Sequence, residues 1–188
     1  MIYPIVLYGD PVLKKRGEDV HPDSVDVQQL SEDMFETMYQ ANGIGLAAPQ
    51  IGLSLRMFVV DSTPIDEEEG REGFKRVFIN PEILDSQGAV WNFEEGCLSI
   101  PGVRADVQRP PIVTIRYYDE HWQEHTETLD GMPARIVMHE YDHVEGILFT
   151  DRIKGLKKRL LKGKLNGITK GQVNADYKVK LPVKVARR

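Results

Sequence analysis

Residues His139-Glu140-Tyr141-Asp142-His143 constrain the fold more than any other stretch of the chain. Residues four apart lie one above the other on a helix, so the two imidazoles can meet at one point if the segment is helical. The flanks agree with a helix from about Met132 to Glu145: Asp130 can cap it, Pro133 is tolerated in its first turn, and Gly146 suits its stop. Two imidazoles on one face can hold a metal ion, and Glu140, beside the first, can hydrogen-bond a water on that ion. A divalent metal with an open position lowers the pKa of such a water to about 7.

A catalytic site of this kind takes a third protein ligand. An extended H-E-x-x-H-x-x-G-x-x-H pattern matches at Gly146 but places Phe149 where the third His belongs, and Glu145 is the last glutamate of the chain. The donor therefore comes from elsewhere. Cys97, in Glu95-Gly96-Cys97-Leu98-Ser99, is the candidate, since a thiolate suits zinc or ferrous iron. Taken alone, a single cysteine reads more readily as a small buried hydrophobe. As the sole cysteine it forms no disulfide within the chain, which fits a reducing compartment. His21 lies in a loop before Pro22, and His121 and His125, though four apart, meet no helix because Asp119-Glu120-His121-Trp122 reads as a hairpin turn, so all three are expected to be structural or surface residues.

A third segment is Gly43-Ile44-Gly45-Leu46-Ala47-Ala48-Pro49-Gln50. Its glycines permit close backbone approach, by a ligand or by another chain segment. It lacks the spacing and lysine of a phosphate loop.

Around these segments the periodicity predicts a helix from Asp23 to Gln40, capped by Asp23 or Ser24 and ended by Asn42-Gly43. Strands are expected at Arg56–Asp61, Arg76–Ile79, Ala89–Phe93 and Ile112–Asp119, the last forming a hairpin with Gln123–Leu129. The acidic run from Pro64 to Gly73 reads as a mobile surface loop. A basic helix should begin near Ile153, with Leu156, Leu160, Leu161 and Leu165 as its apolar stripe, and Asp176–Val183 is β-capable. The fold class is α+β: mostly antiparallel sheets around a central metal-binding helix, with an N-terminal helix and a basic C-terminal helix.

A chain of 188 residues implies one domain, in which 1–150 is the catalytic unit and 151–188 its extension. Charge is unevenly divided. Residues 151–188 carry 13 of the 24 Lys and Arg but 2 of the 29 acidic residues, a net +11, against −16 for residues 1–150 with 11 basic and 27 acidic. Such a segment is either a solvated basic face or a site of attraction to a polyanion such as RNA. No stretch approaches the roughly 18 apolar residues of a membrane span, and the N-terminus lacks the features of a signal peptide. A cytoplasmic protein is expected, with no membrane and no specific DNA among its partners.

Taken together and in order, Gly43–Gln50, Glu95–Ser99 and His139–His143 resemble the three signature motifs of the peptide deformylases. Gly9-Asp10-Pro11-Val12-Leu13 and Asn80-Pro81 are also similar to that family, and the resemblance spans roughly residues 1–150. It implies hydrolysis of the N-terminal formyl group of formyl-methionyl nascent peptides, giving formate and a free N-terminal Met. It implies one divalent metal held by Cys97, His139 and His143, ferrous iron foremost, with zinc, nickel or cobalt as alternatives. Glu140 would be the general base and acid, and Gln50 with the Leu98 N–H would hold the oxyanion. Substrate contacts would come from Gly43, Ile44, Gly45, Leu46, Gly96, Arg104, Met132 and Ile136, with the methionine side chain near Ile44, Met132, Ile136 and His139. Arg104 would stand at the mouth and pair with Glu95. Arg135 departs from the aliphatic residue often found there and puts the pocket shape in question. The residues also admit a different zinc peptidase, acting as an endopeptidase or aminopeptidase. A structural metal site would require a fourth protein ligand, and none presents itself.

Overall fold

The computed structural model describes residues 1–68, 70 and 72–182. In chain order the elements are β1 (Ile5–Val6), α1 (Val27–Gln40), β2 (Gly45–Ala47), β3 (Met57–Asp61), α2 (Thr63–Glu68), β4 (Lys75–Gln87), β5 (Trp91–Gly96), β6 (Arg104–Arg109), β7 (Ile112–Tyr118), β8 (Glu124–Asp130), α3 (Gly131–Val144), α4 (Gly155–Thr169) and β9 (Val179–Lys180). The architecture is α+β, with a five-stranded antiparallel sheet in the order β2-β3-β4-β7-β8 and a separate β5-β6 ribbon. The pair β1-β9 is parallel.

Strand β3 is buried along its whole length because both faces of the sheet are covered. Met57 and Val59 join Leu30, Met34 and Met38 of α1 in one core cluster. Phe58 and Val60 point the other way, into a cluster with Ile136, Val137 and Val144 of α3. This is the two-fold alternation of a strand used on both sides. Helix α3 is accordingly enclosed: the large sheet lies against one side, while the β5-β6 ribbon reaches the other through Arg135, which donates to the Val107 carbonyl oxygen at 3.2 Å.

Several boundaries differ from the sequence reading. Helix α1 starts at Val27, capped by Asp26, whose Oδ1 accepts from the Gln29 N–H at 3.1 Å; Asp23 and Ser24 lie upstream in a turn. The acidic run is not wholly a loop. Thr63–Glu68 is helical, and Asp66, 1% exposed, accepts from the Ser62 hydroxyl, so a local bond folds what composition assigned to solvent. Strand β4 is far longer than Arg76–Ile79. It continues through Pro81 because the register shifts between Ile79 and Glu82, where the missing N–H costs no ladder bond. Asn80, at φ 49°, fixes that shift with two 2.8 Å bonds to the Val20 backbone.

At the C-terminus, α4 buries Leu165 and Ile168 and half-buries Leu161 against the cluster containing Leu7, Leu13 and Phe149. Leu156 and Leu160 are not part of that stripe. They are 63% and 71% exposed, because the inward face advances by three and four residues from Leu161, not from Leu156. The tail then returns across the molecule to form β9, inside the stretch read as β-capable; Val183 lies outside the described residues.

Candidate metal centre

Cys97 follows directly on β5, and His139 and His143 lie on α3. Folding the ribbon onto the helix brings the Cys97 Sγ and one nitrogen of each histidine within 4.8 Å of one another. The His143 Nε2 stands 3.3 Å from the thiol. A thiolate and two imidazoles at this spacing are the donor set of a tetrahedral centre with one open position, so these residues fit a divalent metal. His139 is oriented from behind, since its Nδ1 meets Glu95 Oε2 at 2.9 Å, leaving Nε2 for the centre.

Glu95 is the hub beneath the centre. Arg109 binds it bidentately through Nε at 2.7 Å and Nη2 at 3.0 Å, and Arg135 donates to Oε1 at 2.7 Å. Arg109 also donates to Asp142 Oδ2 at 2.9 Å, and Arg152 closes the chain on Asp142 at 2.5 and 2.6 Å. Burial alone would raise the Glu95 pKa, but bonds from His139 and Arg109 outweigh it and hold the carboxyl well below its usual range. Burial pulls His139 down, yet Cys97 and Glu95 beside it raise it further, to about 10. His143, buried and next to His139, is driven well below its ordinary value. A dication among the three donors favours neutral imidazoles and a thiolate.

Glu140 is buried, its Oε2 has no partner, and burial pushes its pKa up to about 7. Its carboxyl occupies the space a side chain at Gly45 would fill: a Cβ there would meet Glu140 Oε1 at 2.5 Å and Cγ at 2.8 Å. A Cβ at Gly43 would meet Leu98 Cδ1 at 2.9 Å. Both glycines are thus explained by close approach of other chain segments. Gln50, 1% exposed, is fixed by its Oε1, which accepts from the Ala47 N–H at 2.8 Å. Its Nε2 therefore points to Cys97 Sγ at 3.5 Å and Ser99 Oγ at 3.4 Å.

A cavity of about 530 Å³ opens over this centre. Gly43, Ile44, Gly45, Gly96, Arg104, Met132 and Ile136 line it, together with Gln50, Cys97, Leu98, His139 and Glu140. Leu46 does not; its side chain is fully buried in the core beside α1. Arg104 does not pair with Glu95. It binds Glu94 Oε2 at 2.8 Å, and strand parity explains why. Arg104 opposes Gly96 and so shares a face with Glu94, whereas Glu95 opposes Ala105 and shares the inner face with Arg109. Arg135 lies 4.2 Å over the Trp91 ring and donates to the Trp91 carbonyl oxygen at 2.9 Å, so it clamps β5 to α3 as well as bordering the cavity. Sequence reasoning missed Arg109 and Asp142 as parts of this centre; the signal lay in the alternation of β6 and the i, i+3 spacing of Asp142 from His139.

Fold and site together fit a metal-dependent hydrolase, with the Cys97, His139 and His143 group able to hold the ion. The polypeptide deformylase family model matches residues 2–159. A peptide deformylase of Cytophaga hutchinsonii is 57% identical, over 98% of this chain and 100% of its own. That of Christiangramia forsetii is 53% identical, over 97% of each. Among solved structures, a peptide deformylase from Legionella pneumophila superposes with a TM-score of 0.80 at 38% identity, covering 92% of this chain and 98% of its own. One from Plasmodium falciparum gives 0.80 at 38%, covering 89% and 95%. The chain belongs to the polypeptide deformylase family.

Proposed function

We propose that Cys97, His139 and His143 hold one divalent ion, ferrous iron foremost with zinc, nickel or cobalt as substitutes, and that the chain deformylates N-formyl-methionyl nascent peptides there. The observation carrying this reading is the convergence of the Cys97 thiol, both histidines and the Gln50 amide on one point beside a buried, unpartnered Glu140 oxygen. A divalent ion so held makes water nucleophilic near neutral pH and polarises the formyl carbonyl.

The chain's own residues do the rest. Strand β2 is an edge of the large sheet, so a substrate backbone can add along Ile44, Gly45 and Leu46, with Gly96 on the opposite wall. Leu46 would contribute backbone only. Ile44, Met132 and Ile136 receive the methionine side chain. Glu140 takes the proton from the attacking water and passes it to the departing amine as the C–N bond breaks, leaving formate and a free N-terminus. Gln50 Nε2 and the Leu98 N–H donate to the oxygen that becomes negative, and losing one such donor costs about 10²–10³ in turnover. Arg104, paired to Glu94, borders the mouth.

Residues 1–150 carry this chemistry and residues 151–188 extend the same unit. The basic segment 152–188, whose Lys158 and Arg159 are exposed on α4, is the part by which the enzyme would meet the ribosome, the source of formylated chains. Among the described residues no helix is long and apolar enough to cross a membrane, and a cytoplasmic location goes with this role. The test is formate release from formyl-Met peptides by anaerobically iron-loaded protein. Release from the formylated peptide alone supports the reading, whereas cleavage of unformylated peptides points to a zinc endopeptidase or aminopeptidase.

A further inference from the structure

The tail reaches the site although it lies beyond residues 2–159, which the family model covers. Its strand β9 is held parallel to β1, where the Ile5 N–H donates to the Lys178 carbonyl oxygen at 2.8 Å and the Leu7 N–H to that of Lys180 at 3.1 Å. Residues Asn174 to Tyr177 thereby form one wall of the cavity over the metal centre. The Tyr177 ring packs on the same cluster as Leu98, and its hydroxyl donates to the Leu98 carbonyl oxygen at 2.7 Å. One residue on, the Ser99 carbonyl oxygen accepts from the Tyr8 N–H at 2.8 Å. Two successive carbonyls of the loop after Cys97 are therefore tied, one to the tail and the other to the chain just past β1.

We infer that Tyr177 is a positioning residue for the reaction, holding the Leu98 backbone so that the Leu98 N–H faces the reacting oxygen. This rests on the functional reading above, in which that N–H is one of two oxyanion donors. A donor of this kind works by being in place before charge develops, and a misplacement of about 1 Å can cost about 10²-fold in rate. Leu98 sits in a loop with the Cys97 ligand on one side and a turn on the other, closed by the Ile100 N–H to the Cys97 carbonyl oxygen at 2.9 Å. Without the Tyr177 bond, the peptide planes on either side of Leu98 gain freedom to rotate. Burial, with Cys97 nearby, pushes the Tyr177 phenol up to about 12, so it remains a donor across the neutral range.

Tyr177→Phe in the full-length, metal-loaded enzyme keeps the ring and removes the bond. The expected result is a fall in kcat of about ten-fold with KM and metal content unchanged. Amide exchange should quicken several-fold in the 97–100 segment and stay the same in α3. Lys178→Ala, the next residue of the same tail with an exposed side chain, should leave kcat as it is. An unchanged kcat in Tyr177→Phe overturns the inference, whatever exchange shows. So does an equal loss in Lys178→Ala, or faster exchange throughout the chain, either of which marks general loosening. Wild-type enzyme that releases no formate overturns the functional reading and this role with it, and the wild-type assay alone reveals that case.

Discussion

Arg109 and Arg104 lie five residues apart on β6, and each binds a neighbouring glutamate of β5, yet removing them should have very different consequences. Arg109 is 2% exposed and makes three bonds to carboxylates, two to Glu95 and one to Asp142. Breaking a buried pair by removing one partner costs about 3–5 kcal/mol, because the charge left behind is neither hydrated nor matched. In Arg109→Met, Glu95 keeps Arg135 and His139, and Asp142 keeps Arg152, so the cost belongs at the lower end, about 3 kcal/mol. For a chain of this length that is a fall in Tm of roughly 6–12 °C. Arg104→Met breaks a pair in which both side chains are more than half exposed, and exposed pairs are worth at most about 1 kcal/mol. The comparison is made by denaturant unfolding with chelator present, so that metal binding does not mask the difference. Metal affinity is then measured by chelator competition. It should drop about 10–100-fold in Arg109→Met, since Glu95 would no longer be held squarely behind His139. Equal destabilisation by the two substitutions would refute the argument, because burial would then not be what makes the Glu95 network costly to break.

Glu140→Ala should keep the metal content of the wild type and lose at least about 10²-fold in formate release; parallel loss of metal and activity would make Glu140 a ligand or a structural support. Gly45→Ala should cost about 10²-fold in kcat with the metal retained, since its Cβ must displace the Glu140 carboxyl, and activity within two-fold of wild type would sink that account. Peroxide should inactivate the iron-loaded enzyme as metal and Cys97 oxidise, and nickel should protect it; iron-loaded protein indifferent to peroxide would exclude an iron–thiolate site. Full-length protein should sediment with ribosomes at low salt and be released at high salt; absence from the pellet at low salt excludes docking through the basic segment.

Legibility along the chain followed the length of the pattern. Helix α1 repeats its apolar positions over four turns, and the β7-β8 hairpin alternates over seven residues on each side of a polar turn, so both could be read with small errors of boundary. Strands β1, β2 and β9 have two or three residues each and can show no period at all. Strand β6 is six residues long but reads Arg-Ala-Asp-Val-Gln-Arg, with a buried arginine standing where alternation would call for an apolar residue. Helix α2 was hidden for a different reason: acidic composition argues for solvent, and the local bond from Ser62 to Asp66 overrides it.

The site divides in the same way. The two histidine candidates announce themselves within five residues, because ligand spacing on a helix is a local fact, whereas Cys97 alone reads as a small buried hydrophobe and becomes a ligand candidate only beside the other two segments. The support behind them is not local. Glu95 acts on His139 from 44 positions away, and Arg109 joins Glu95 to Asp142 across 14 and 33. Arginine and aspartate are ordinarily surface residues, so nothing in the residues themselves marks these as interior. Beyond the i, i+3 spacing of Asp142 from His139, strand parity was the available lever: once Cys97 is given to the end of β5, alternation sends Glu95 inward and Glu94 outward, and Arg104 must follow Glu94. The tail offers no such lever. Tyr177 reaches Leu98 only because β9 lies beside β1, and that pairing joins the two ends of the chain through two residues on each side. Contacts of this kind depend on where α4 releases the chain after Thr169 and on the pairing of β9 with β1, and a two-residue strand carries no period from which that pairing could be read.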